Sequence, residues 1–153
     1  MYKEKFMKCA NLEAMKNLAT KEGGPFGSVI VKDGEIIAKG HNLVLSSHDP
    51  TAHGEIVTIR KACNKLHTFD LTGCELYTNA YPCPMCLGAI IWSNIKNVYY
   101  GNTAKDAENI GFRDKQIYEF LDGKNKMLDL KQHDRDLTIS TFSKYKKMDH
   151  TLY

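Results

Sequence analysis

"TAHGEIVTIRKA", residues 51–62, opens like a surface helix, yet it carries His53 and Glu55 two positions apart with Gly54 between them. Residues at that spacing do not share a helical face as i, i+3 or i, i+4 pairs do. The pair is therefore not an ion-pair set on a helix surface, and its placement at a helix start asks for another explanation. Downstream of it, Ile56, Ile59, Ala62 and Cys63 give an inner face, which predicts a helix from about Ala52 to Leu66.

Working outward, residues 3–20 read as an amphipathic helix ended by Gly23, Gly24 and Pro25. "FGSVIVKDGEIIAKGHN" reads as a β-hairpin, because Asp33-Gly34 suits the positive φ angles of a tight turn between two apolar runs. Residues 43–51 form a polar loop. "CELYTNA" (74–80) is a third strand, and a helix follows from about Pro84 to Asn94. "VYYG" (98–101) is a fourth strand, "DKQIYEFLDG" (114–123) a short helix, and "LTIST" (137–141) a fifth strand. "FSKYKKMDHTLY" reads as helical, then frayed. The alternation of helices and strands is that of an α/β chain whose crossover helices cover a sheet.

Length and composition narrow the class. A chain of 153 residues fits a single domain, 1–153, and can bury a core without needing metal or disulfides to fold. A net charge of +3 is too mild to argue for nucleic acid, and "SKYKK" (143–147) reads as a solvated helix face. Five cysteines in an odd, scattered set suit a reduced, cytoplasmic protein. No apolar run reaches membrane-spanning length, and no secretory leader is recognisable.

The second unusual stretch is "YPCPMCLGA" (81–89), with Cys83 and Cys86 at C-x-x-C spacing. Thiolates at a helix N-terminus are favoured by free N–H groups and the macrodipole, so a redox dithiol and a pair of metal ligands are both open. A zinc site needs more than two thiolates, and His53, also at a helix start, is the attractive third ligand. One His and two Cys leave the fourth zinc position open, which marks a catalytic site rather than a structural one. Glu55 is then placed to carry the proton of water activated there.

"HGE" followed by "PCPMC" resembles the signature of the zinc-dependent nucleobase deaminases. With "GGPFGSVIVKDGEIIAKGHN", "DPTAHGEIVTIRKAC", "LYTNAYPCPMCLGAIIW" and "AENIGFRDKQIY", most of the chain looks like bacterial guanine deaminases. The resemblance implies a three-layer α/β/α cytidine deaminase-like fold, here with a mixed five-stranded sheet. It implies one Zn2+ per subunit on His53, Cys83 and Cys86, with Glu55 as general acid/base. It implies that Asn42 holds the purine edge, Phe26 packs on the base and Asp114 meets the exocyclic amine. It also implies a homodimer in which residues 142–153 swap onto the partner and Tyr153 closes the partner's site.

Two positions depart from the family: Gly54, where Ala is more frequent, and Tyr81, where Glu is usual before the Pro-Cys pair. Both line the family's site. Plainer roles remain for several residues: Asn42 can end a hairpin, Asp114 can cap a helix, Phe26 can be core, and Tyr153 can be a frayed end. The expected reaction is hydrolysis of guanine to xanthine and ammonia. Its rivals are deamination of cytosine or another aminated ring, deamination of adenosine in tRNA, and a non-catalytic zinc-binding module.

Overall fold

The computed structural model describes residues 1–153. Its sheet is built on the hairpin of β1 (Gly27–Lys32) and β2 (Glu35–His41), whose turn places Asp33 at φ 51° and Gly34 at φ 81°. Two successive positive φ angles are what a tight hairpin turn compatible with strand twist requires. The register slips between Ile30 and Val31, a local bulge. β3 (Cys74–Ala80) pairs antiparallel with β1, and β4 (Asn97–Asn102) pairs parallel with β3, giving the order β2-β1-β3-β4.

Strand alternation decides what lies on each face. Val29 and Val31 of β1 and Tyr77 of β3 point to α1 (Glu4–Thr20), where they pack on Phe6 and Ala10. Ile30 and Leu76 point the other way, toward Ala62 of α3 (Gly54–Leu66) and Ile90 of α4 (Pro84–Trp92). The result is three layers: α1, the mixed sheet, then α3 with α4. Each wholly buried Ile or Leu contributes about 1.5–3 kcal/mol relative to exposure, so Ile30, Leu71 and Leu76 anchor the α3/α4 side. A short α2 (Val44–Ser47) interrupts the polar loop between β2 and α3.

The sheet has four strands, not the expected five. "LTIST" (137–141) lies inside α7 (Arg135–Tyr145), beyond α5 (Ala104–Asn109) and α6 (Asp114–Leu121). A fifth strand would have to pair with an edge of the sheet, and this segment meets none. Its backbone groups are satisfied locally instead. Its hydroxyls turn back on the same helix: Thr138 Oγ1 donates to Arg135 O, and Ser140 Oγ to Leu137 O. The β-branched run thus followed its surroundings rather than its propensity.

Candidate active site and metal centre

His53 and Cys83 occupy equivalent places in two helices. Each is the residue that precedes the first helical turn, with extended backbone at φ −66°, ψ 158° and φ −67°, ψ 166°. Cys86 lies one turn into α4, and its N–H donates to Cys83 Sγ at 3.4 Å. Pro84 sits in the first turn, where its missing N–H costs nothing. α3 and α4 pack on the same face of the sheet, so their N-termini meet and their donor atoms converge.

His53 Nδ1 lies 3.5 Å from Cys83 Sγ and 3.6 Å from Cys86 Sγ. A tetrahedral zinc with Zn–S near 2.3 Å and Zn–N near 2.0–2.1 Å needs N···S edges of about 3.5 Å. These separations are therefore the edges of a ligand tetrahedron, and one imidazole with two thiolates is a donor set that suits zinc. All three ligand atoms fall within 4.8 Å of one another, and no fourth His, Cys, Asp or Glu joins them. A metal held by these three would keep a fourth position for a small molecule.

The charges around the ligands are arranged for a cation. The hydrogen bond from Cys86 opposes the cost of burial and, helped by His53, holds Cys83 down at about 4. The same hydrogen bond, with burial and the nearby Glu55 charge, pushes the Cys86 thiol far up. The two thiols are thus pushed in opposite directions, and a bound cation would favour the thiolate at both.

Glu55, in the first turn of α3, is 5% exposed. Its Oε1 accepts a hydrogen bond from Thr78 Oγ1 of β3 at 3.1 Å, and its Oε2 lies 3.4 Å from Cys86 Sγ. Burial pushes its carboxyl above the ordinary value. A carboxylate that is buried, oriented by Thr78 and set against the candidate ligands is fitted to hold and return a proton.

The same pocket is lined by Phe26, Asn42, Tyr81, Phe112 and Asp114, together with His53, Glu55 and Cys83. Asn42, at the end of β2, is 4% exposed. Its Oδ1 accepts from the Val44 N–H at 3.0 Å, which leaves its amide nitrogen for a ligand. Phe26 and Phe112 meet edge to face at 4.7 Å. Asp114 opens α6 and is half-buried; burial and the negative charge of Cys83 push its carboxyl up against the pull of His53.

Gly54 does not line the pocket. Its role is steric: a Cβ there would stand 3.1 Å from Phe26 O and 3.3 Å from Gly27 Cα, so α3 lies close beneath the Phe26 backbone. Tyr153 stands outside this chain's own pocket. It is 76% exposed and leans on Phe69 and Trp92, with ring centroids 6.1 and 5.9 Å away. Phe112 was not singled out from the sequence, although it stands in the "GFRD" stretch beside Asp114. Tyr81 was noted only as a departure; it forms a pocket wall, edge-on to Tyr100 at 4.9 Å.

Residues 1–102 match the family described as the cytidine and deoxycytidylate deaminase zinc-binding region. The chain belongs to that deaminase family. Among its relatives is the guanine deaminase of Bacillus subtilis (strain 168), 51% identical over 122 residues, covering 80% of this chain and 78% of that one. The X-ray structure of guanine deaminase from Bacillus subtilis superposes on the deaminase with a TM-score of 0.92 at 42% identity, covering 100% of this chain and 99% of that one. The tRNA-specific adenosine deaminase of Aquifex aeolicus (strain VF5) is 48% identical over 100 residues, covering 65% of this chain and 66% of that protein. The structural similarity to guanine deaminase therefore runs through the whole chain, whereas the match to the tRNA-specific relative covers about two thirds of it.

Proposed function

We propose that the chain hydrolyses guanine to xanthine and ammonia. The observation that carries the reading is the convergence of His53, Cys83 and Cys86 with no fourth donor among them, with buried Glu55 beside them and Asn42 across the same pocket. The full-length similarity to a guanine deaminase supports guanine over an RNA substrate. Zinc on His53, Cys83 and Cys86 supplies a Lewis acid that makes water a nucleophile at neutral pH. The chain's own groups do the rest.

Asn42 presents its N–H2 to an acceptor on the purine edge, while Phe26 and Phe112 wall the ring and exclude water. Glu55, steadied by Thr78, takes a proton from the attacking water and delivers it to ring N3 as oxygen adds to C2. It then returns the water's second proton to the amine. Asp114, across the pocket, meets that amine and assists its departure as ammonia. Water in, ammonia out and a carbonyl at C2 balance the reaction.

The finer reading extends to the assembly. The enzyme works as a cytoplasmic homodimer of single-domain subunits, with residues 142–153 crossing to the partner and Tyr153 covering the partner's pocket. Support comes from the position of Tyr153 outside its own pocket and from the exposure of every α7 residue except half-buried Ile139. No helix is long and apolar enough to cross a membrane.

An ammonia-release assay over guanine, guanosine, cytosine, cytidine, adenine and ammeline tests the reading. Guanine should give the highest kcat/KM. A preference for cytosine would overturn the substrate and leave the proton chemistry standing. Turnover of a tRNA stem-loop adenosine without turnover of guanine would favour the RNA reading, and zinc-dependent folding with no turnover of any aminated base would leave a binding module.

A further inference from the structure

A second buried polar cluster lies behind the pocket, on the α1 side, and none of its members touches the substrate cavity. His41, the last residue of β2, stands between two carboxylates on two other segments. Its Nδ1 is 3.0 Å from Glu13 Oε2 of α1, and its Nε2 is 2.9 Å from Glu22 Oε2 in the α1–β1 connection. Each ring nitrogen thus faces a carboxylate oxygen within hydrogen-bond distance. Glu13 also holds Lys16 at 2.7 Å and has Lys39 at 4.0 Å.

One turn along α1, Asn17 is 5% exposed and makes a fork. Its Nδ2 donates to Gly24 O at 2.8 Å and to Asn42 O at 2.7 Å. Its Oδ1 accepts from Thr20 Oγ1 at 3.1 Å. One amide thus joins α1 to the loop that leads into Phe26 and to the backbone of Asn42 itself. The Asn42 N–H in turn donates to Phe26 O at 2.9 Å, closing the circuit between the two segments.

The space between them is already full. A Cβ on Gly23 would fall 2.0 Å from Asn42 Oδ1, and one on Gly24 would fall 2.7 Å from the Phe112 ring and 2.9 Å from the Phe26 ring. The Gly23–Gly24 segment is therefore wedged against both the amide and the aromatic pair that line the pocket. Any drift of this loop displaces Asn42 and Phe26 together.

We infer that Asn17, and His41 bridged between Glu13 and Glu22, are positioning residues that fix the Gly23–Phe26 loop against Asn42 and so set the enzyme's grip on the base. The inference rests on the functional reading above, in which Asn42 and Phe26 face the substrate. Its physical content is that the polar contacts end on the backbone flanking those two side chains, whereas the zinc ligands and Glu55 hang from α3 and α4. Loosening the clamp should therefore weaken binding and spare the chemistry.

Steady-state kinetics and zinc analysis of the full-length zinc enzyme separate these. Asn17→Ala removes both forked bonds and should raise KM about tenfold with kcat within about threefold and one zinc per chain retained. His41→Gln, the milder variant, keeps a donor for one carboxylate only and should raise KM about threefold. Ser93→Ala, which removes a buried hydroxyl at the far end of α4, serves as a stability control and should leave KM unchanged. KM is read on the base with the highest kcat/KM in the wild-type panel. If that base is not guanine, the substrate reading fails while the clamp is still measured; if no base is turned over, both fail. A KM within about twofold of wild type in either variant, or a kcat loss at constant KM, overturns the clamp, and so does an equal KM rise in Ser93→Ala.

Discussion

The packed sandwich and the C-terminal segment follow opposite rules of burial. Every buried residue lies at or before Ala107, in α1, the sheet, α3 to α5 and the loops that join them. Beyond Leu121 the chain carries Leu128, Leu130, Leu137, Phe142, Met148 and Leu152, all large, apolar and exposed. An eleven-residue helix such as α7 is marginal in water without a surface to pack on. The contrast teaches that the first region has its core and its metal centre from its own residues, whereas the second has apolar surface without a core. Ile91 and Trp92 on α4 are also exposed, so the sandwich itself offers an apolar face. The proposed swapped dimer would satisfy both.

The largest effect should come from within the sandwich and leave the contrast untouched. Glu55→Ala removes the proposed proton carrier but none of the three candidate ligands, so kcat should fall by about 10³–10⁴. Zinc content, measured by mass spectrometry of the metal, should stay at one per chain. Activity within tenfold of wild type would remove Glu55 from proton transfer. Asn42→Ala should act more mildly and on binding. It deletes the proposed donor to the base, and KM should rise about 10- to 30-fold. Unchanged KM and kcat would take Asn42 out of the pocket's work.

The comparison breaks most directly by cutting. Removal of residues 142–153 should lower kcat/KM by at least about tenfold, since water then reaches the pocket. The melting midpoint of the sandwich should move by only a few degrees, because no buried residue is lost. Light scattering should show the proposed dimer weakened. A truncated chain that keeps full activity and its assembly would show that the segment is a frayed end.

Legibility in the sequence divides along the same line. Where one physical demand decides a residue, the reading held. Asp33-Gly34 makes the turn it must, the strand at 74–80 falls where its apolar run lies, and His53 and Cys83 head their helices. The metal set could be read because few residue types bind zinc and all three stand at helix starts. "LTIST" failed because strand formation depends on a neighbour that the sequence does not name. α5 was missed although Thr103 and Asp106 carry a capping box, a signal that was present in the sequence. The clamp of Glu13, Asn17, Glu22 and His41 was illegible for a different reason. Its members are scattered from 13 to 41 and look like surface residues until the sheet brings them together.

Gly54 tests the seam between helix and pocket with the smallest expected effect. Two consequences of adding a methyl group oppose each other. Ala in place of Gly in a helix gains roughly 0.5–1 kcal/mol from backbone entropy. Against that, the new Cβ would sit 3.1 Å from Phe26 O and 3.3 Å from Gly27 Cα, backbone atoms that cannot swing aside as a flexible side chain would. The Phe26 segment must give by a few tenths of an ångström, and it is tied to Asn42 through the Asn42 N–H. Gly54→Ala should therefore leave the melting midpoint nearly unchanged while shifting KM for guanine about two- to fivefold, with kcat less affected. A raised midpoint with KM unmoved would mean that the close approach of α3 to Phe26 has no bearing on how the base is held.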